Sequence, residues 1–256
     1  GIRPGYPLPP QESPVPASLD WDLWQGPCPA RAFHKRYHPG GWRRWRNYGN
    51  GMLGDWFPHI ADAPVWILDL YEPVAVEAES VLGSNEWLAP AECRIRFEFQ
   101  HRGSKQPCTF YWHNSATDLG LSKPDQWTWG DELPKGGSLF FGEKTIGFTD
   151  NRSSNPRLVN RDEMKAFKEQ GYPDEKYSRV KGGPFHEWTR AIKGEGPEPG
   201  SNFEEAGRFT EVMLLGSLAA RCGGRIEWDA KTMQVTNRPE LNEYLKDPVR
   251  EGWSYG

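Results

Sequence analysis

Apolar and polar positions alternate most cleanly over residues 92–102. Cys93, Ile95, Phe97 and Phe99 fall on one side, and Glu92, Arg94, Arg96, Glu98 and Gln100 fall on the other. A period of two sustained over that span predicts a strand in a sheet with one polar face. Residues 74–82 repeat the pattern, with Val74, Val76 and Ala78 set against Glu77 and Glu79. Residues 107–113, 137–143 and 144–150 continue the series, around a long polar loop at 114–136. Residues 225–229 and 232–236 read as two short strands flanking a turn.

Helical patterns occupy other stretches. Residues 54–69 read as helical under two constraints. Pro58 is tolerated only in a first turn, so the helix starts no earlier than Gly54 or Asp55. Pro64 predicts a kink or restart, with Asp62 as a cap. Within the polar, mobile-looking segment 150–182, residues 161–169 suit a short helix. Residues 184–193 suit another, stopped by Gly194. Ser201 and Glu204 form a capping box for a helix that carries Phe203, Phe209, Val212, Met213 and Leu218 and ends at Gly223-Gly224. A last helix is expected at 239–245. Residues 1–20 hold Pro4, Pro7, Pro9, Pro10, Pro14 and Pro16 and read as an extended arm or linker. Residues 21–48, rich in Trp, Pro, His and Arg without periodicity, read as an irregular loop that covers a site. Strands adjacent in sequence pair without crossover helices. The expected fold class is therefore α+β, a large open mostly antiparallel sheet with helices packed on one face, over residues 21–256.

Charge narrows the partners. There are 31 basic and 35 acidic residues, a net charge of −4, which gives no reason to expect nucleic acid or an anionic membrane. Trp42-Arg43-Arg44-Trp45-Arg46 is a local exception and reads as a solvated or interdomain patch. No run approaches the ~18 apolar residues of a membrane span. No signal peptide or initiator Met is seen, and the opening Gly1-Ile2-Arg3-Pro4-Gly5 suggests a tagged chain or a piece of a longer polypeptide. Cys28, Cys93, Cys108 and Cys222 are scattered, which argues for reduced structural thiols rather than a zinc knuckle or disulfide framework. With 13 Trp, 12 Phe and 9 Tyr, flat rings are plentiful for a core and for stacking on sugar.

Candidate chemistry centres on Asp55 and His59. On a helix, four residues apart places them on one face. A carboxylate beside an imidazole builds a general acid/base near neutral pH; the plain alternative is a cap and a core histidine. Gly49-Asn50-Gly51-Met52-Leu53-Gly54 fits G-x-G-x-x-G in letters but lacks the preceding apolar strand, so a glycine turn that opens a helix explains it better. His34 and His38 form a second i, i+4 pair. With Asp55, His59 and Asp62 they suggest a metal cluster, and with Asp55 and His59 a metal-dependent sugar hydrolase or isomerase, against which Pro39 and the missing helical period argue. His186 and Glu187 suit either a pocket lining or a surface helix.

The glycine turn, Asp55-x3-His59 and the acid three residues on resemble the central motif of the glucose–fructose oxidoreductase/inositol dehydrogenase/MocA (Gfo/Idh/MocA) family. The flanks resemble its bacterial sugar-oxidoreductase branch: Trp42-Arg43 through Tyr48, Trp66-Ile67-Leu68-Asp69-Leu70, His186-Glu187-Trp188, Ala191-Ile192-Lys193-Gly194, Ser201-Asn202-Phe203-Glu204, the run 210–216, Arg225-Ile226-Glu227-Trp228-Asp229 and Arg250-Glu251-Gly252-Trp253. The resemblance implies the C-terminal substrate and oligomerisation domain of a two-domain oxidoreductase, without its N-terminal Rossmann domain and without the Glu-Lys-Pro motif. It implies a cofactor, NAD or NADP, bound mainly by that absent domain, a sugar or cyclitol substrate, and a homo-oligomer formed through the sheet. His59 and Asp55 would be the catalytic pair, Trp42, Arg43 and Trp45 would cap the sugar, and His186 would line the same pocket. Pro58, just before His59, departs from the pattern and bears on the helix start. A free-standing carbohydrate-binding domain is the competing reading. A bacterial compartment, cytoplasmic or periplasmic, is left open.

Overall fold

The structure is a computed structural model that describes residues 11–115, 121–177 and 179–254. The first half of the Pro-rich arm and part of the expected loop at 114–136 lie outside the described residues. The chain forms two compact units, taken in turn.

The first unit, the described residues within 1–58, 68–121 and 212–256, is built on five antiparallel strands: β1 (Ala75–Leu82), β2 (Glu92–Phe99), β3 (Cys108–Asn114), and the later β7 (Arg225–Asp229) and β8 (Gln234–Val235). They lie in the order β3-β2-β1-β7-β8. The alternation read in β2 holds residue by residue: Cys93, Ile95, Phe97 and Phe99 are buried and their neighbours are half-buried. Onto the apolar face packs α2 (Gly51–Ile60) through Leu53 and Phe57. The Phe57 ring meets Phe97 at 6.2 Å and Trp112 at 5.4 Å. The C-terminal half of α6 (Phe203–Cys222) covers the same face with Val212, Leu215 and Ala219.

The opposite face carries charge. Arg225 on β7 reaches diagonally across β1 to grip Glu98 on β2, donating at 2.7 and 2.8 Å to its two carboxylate oxygens. Arg96 bonds Glu77 at 2.6 Å. Helices on one face and ion pairs on the other make this an α+β fold.

Two expectations need correction here. Helix α2 begins at Gly51, not at Gly54 or Asp55, so Pro58 sits in its interior. Burial of Leu53 and Phe57 outweighs the missing rung that proline imposes. Residues 21–48 are not one irregular loop. They hold α1 (Trp21–Gln25), capped by Asp20, and a 3-10 helix, Gly41–Arg44. An aromatic cluster organises the segment: Trp21 stacks on Trp24 at 4.9 Å, and Tyr37 meets Trp45 edge-on at the same separation. Ring stacking has no sequence period, which is why no element was legible there.

The second unit, residues 59–67 and 122–211, contains a separate three-stranded antiparallel sheet: β4 (Gly137–Phe141), β5 (Ile146–Asp150) and β6 (Arg157–Leu158), in that order. The single large sheet expected from the series of strands is thus two sheets. Alternation along a strand says which face is buried, not which strand lies beside it. Trp127, Phe148 and Val159 form the core of this unit. Helix α4 (Arg161–Glu169) is capped by Asn160, which accepts from the Asp162 and Glu163 amides at 2.9 and 3.2 Å.

Helix α3 (Asp62–Leu68) restarts after Ala61, as Pro64 requires. Pro64 cannot donate to the Ile60 carbonyl four residues back. The hydroxyls of Ser138 and Ser153 approach that oxygen instead, each at 3.5 Å. Helix α5 (Gly183–Ile192) follows a left-handed Gly182 and is stopped by left-handed Gly194. Helix α6 is opened by Asn202, not by the expected Ser201. The Asn202 side chain accepts from the Glu205 amide at 3.0 Å, one residue further along than the capping box placed it. Gly223 and Gly224, both at positive φ, end it.

Candidate active site

Asp55 lies one turn before His59 on α2, so the two residues share one helix face. A turn that only glycine permits sets the helix start. Gly51 has φ +66°, and a Cβ there would stand 2.8 Å from the Ala89 Cβ; a Cβ on Gly49 would stand 2.6 Å from the Arg43 carbonyl oxygen. The close approach these glycines allow is therefore of the protein to itself. A pyrophosphate cradle needs that space free, and residues 49–54 do not fit one.

The 3-10 helix Gly41–Arg44 faces the start of α2. Arg43 Nε donates to Asp55 Oδ1 at 3.0 Å, and its terminal nitrogen donates to the Gly40 carbonyl at 3.1 Å. The guanidinium also lies over the Trp42 ring, 5.0 Å from its centroid. Both members of the ion pair are substantially exposed, so the pair contributes at most ~1 kcal/mol to stability. Its effect is to hold Asp55 in one position.

A cleft of about 510 Å³ opens beside this pair, lined by Lys35, Arg36, His38, Arg43, Arg44 and Asp55 together with Trp45 and several glycines. That volume suits a small-molecule site. A second hollow in the same unit, beside Asn50 and Ser217, holds about 10 Å³, room for roughly one water.

Each residue singled out in the sequence has a definite place. Asp55 and Arg43 meet at the cleft. Trp42 is half-buried under Arg43. Trp45 is buried, 1% exposed, and packs against Tyr37 and Leu88; it meets the cleft as part of its wall. His59 is exposed, on the turn after Asp55. His186 is exposed on α5 in the second unit, between exposed Phe185 and Trp188. His34 and His38 stand in a turn, not on a helix. Buried His34 accepts from the Arg36 amide through Nδ1 at 3.1 Å. Burial, reinforced by Arg36 and Lys35, lowers its pKa, which favours the neutral imidazole. Among the described residues no three His, Cys, Asp or Glu side chains gather as a metal site. The four cysteines are free, and burial pushes the Cys93 thiol up to about 12. No helix among the described residues is long and apolar enough to cross a membrane.

Lys35, Arg36, His38 and Arg44 were not read from the sequence as lining residues. The available signal is the basic pair Lys35-Arg36 ahead of the run 42–46, which by sequence reads as a solvated or interdomain patch.

Residues 8–105 match the family model described as oxidoreductase family, C-terminal alpha/beta domain, of the Gfo/Idh/MocA group. Over this segment the chain is similar to the C-terminal domain of that family. The segment holds Trp42, Arg43, Trp45, Asp55 and His59; His186 lies beyond it. A search of curated proteins finds no match to the chain.

Proposed function

We propose that this chain is the substrate-binding and catalytic C-terminal part of a nicotinamide-dependent sugar or cyclitol oxidoreductase, and that it works within a longer parent protein. The observation that carries the reading is the placement of Asp55, fixed by Arg43 at the wall of the cleft, one helical turn before His59. The family match over residues 8–105 supports the oxidoreductase class.

In this reading the chain's own residues bind, orient and move a proton. The His59 imidazole takes the proton from a secondary hydroxyl as its carbon is oxidised, and returns it in the reverse direction. General acid/base help of this kind is worth about 10²–10⁴ in rate. Asp55 has one carboxylate oxygen engaged by Arg43 and uses the other to orient His59 or a neighbouring substrate hydroxyl. Trp42 and Arg43 close over the sugar, and Trp45 supports the cleft wall from the core. The hydride acceptor, NAD or NADP, belongs to a Rossmann domain of the parent, as the family likeness implies; residues 49–54 of this chain do not fit its pyrophosphate. The charged face of the five-stranded sheet is the surface through which copies of the chain associate.

The test is nicotinamide reduction by the purified parent protein against a panel of sugars and cyclitols, paired with calorimetry of this chain and each nucleotide. Turnover by the parent and no nucleotide binding by the isolated chain are expected. Tight binding of NAD or NADP to the isolated chain would refute the division of labour between domains.

A further inference from the structure

Four cations line the cleft, Lys35, Arg36, Arg43 and Arg44, against one carboxylate, Asp55. Lys35 and Arg44 alone put two positive charges there, in a chain whose net charge is −4. The concentration is therefore local and does not follow from composition. Asp55 is already matched by Arg43. Neither Lys35 nor Arg44 has a carboxylate partner among the described residues. The Arg44 Nε is buried without a hydrogen-bond partner, which an ordinary solvated arginine would not show.

The backbone fixes this cluster. A Cβ on Gly41 would stand 1.8 Å from the Arg36 carbonyl oxygen, so the turn closes tightly only with glycine there. The Trp42 amide donates to the Tyr37 carbonyl at 2.8 Å across the same turn. Lys35 and Arg36 on one limb, and Arg43 and Arg44 on the other, are thereby held on a common wall. Guanidinium groups recognise carboxylate and phosphate oxygens through paired, charge-assisted hydrogen bonds, and a lysine adds a point charge. A neutral polyol offers no group to match such a surplus.

We propose that the cleft takes a sugar derivative bearing an anionic group, a carboxylate or a phosphate monoester. This rests on the reading of the cleft as a sugar site and names the class of sugar.

The test is calorimetric titration of the full chain with D-glucuronate, D-galacturonate, the 6-phosphates of D-glucose and D-galactose, the two neutral hexoses, and inorganic phosphate. At least one sugar anion should bind about tenfold or more tightly than its neutral parent and than inorganic phosphate. Preference for a uronate assigns the carboxylate; preference for an ester assigns the phosphate. Lys35→Gln, an exposed position, and Arg44→Gln should each remove about tenfold of that affinity. Neutral hexoses binding as well as the anions, inorganic phosphate binding as well as the sugar anions, or no binding at all overturns the proposal. So does an undiminished preference in variants that melt like the parent chain. The His59→Ala chain separates the two readings. It should keep the anion preference in binding, so a failed catalytic role leaves this result standing, and a lost preference in the unaltered chain says nothing against His59.

Discussion

Arg43 Nε stands 3.0 Å from Asp55 Oδ1, which ties a 3-10 helix to the first turns of α2 from twelve residues away. Both residues line a cleft, and both are too exposed for the bond to matter much to folding. Arg43→Gln should therefore change the unfolding free energy by less than about 0.5 kcal/mol. In the parent enzyme it should raise KM by about tenfold through the lost contact to substrate and the freed Asp55. Steady-state kinetics beside a urea melt checks both halves.

Pro58 removes one backbone rung from the interior of α2, and its side chain is exposed. Pro58→Ala should stabilise the chain by about 1–3 kcal/mol, the upper end being the full interior penalty of proline. A higher denaturation midpoint with an unchanged slope is the expected result. A lower midpoint would show that the surrounding structure needs the local geometry proline imposes.

Gly216 on α6 lets that helix approach the sheet closely. A Cβ there would stand 2.7 Å from the Phe97 Cζ and 3.1 Å from a Leu53 methyl. Phe97 is fully buried and cannot swing outward. Gly216→Ala should destabilise by about 1–3 kcal/mol through overpacking, despite the better helix propensity of alanine. Chemical denaturation measures it.

The charged sheet face predicts an acid limb of stability. Two hydrogen bonds from Arg225, with its charge and that of Arg96, hold the Glu98 carboxyl below its ordinary range. A depressed folded-state pKa means that the unfolded chain takes up the proton first as pH falls. The stabilisation is thus complete above the ordinary glutamate pKa, about 4.3, and is lost as pH drops through the lower folded-state value. Glu98→Gln should flatten that limb. Urea midpoints of both proteins, near neutral pH and at about pH 3, decide it.

Several elements were legible because the determining signal is local. The β2 alternation, α4 after Asn160 and the Gly223-Gly224 stop are all written within a few residues. What escaped depended on distant partners. The proline rule alone places the start of α2 late, because it takes no account of the buried Phe57 that overrides it. A capping box matches letters rather than backbone conformation, so it points to Ser201 where Asn202 is the cap. The division of the strands into two sheets depends on pairing that no single strand records. At the candidate site, Asp55 and His59 stood out by spacing and by family resemblance. The cations that line the cleft with Asp55 converge through a tight turn at Gly41, and a sequence shows their density without their direction.

The most direct measurement is turnover of the parent enzyme carrying His59→Ala, with the melting curve recorded on the same preparation. The account predicts a fall of about 10²–10⁴ in kcat at an unchanged melting temperature, because His59 is exposed and lies outside the core. Turnover equal to that of the unaltered enzyme would contradict it.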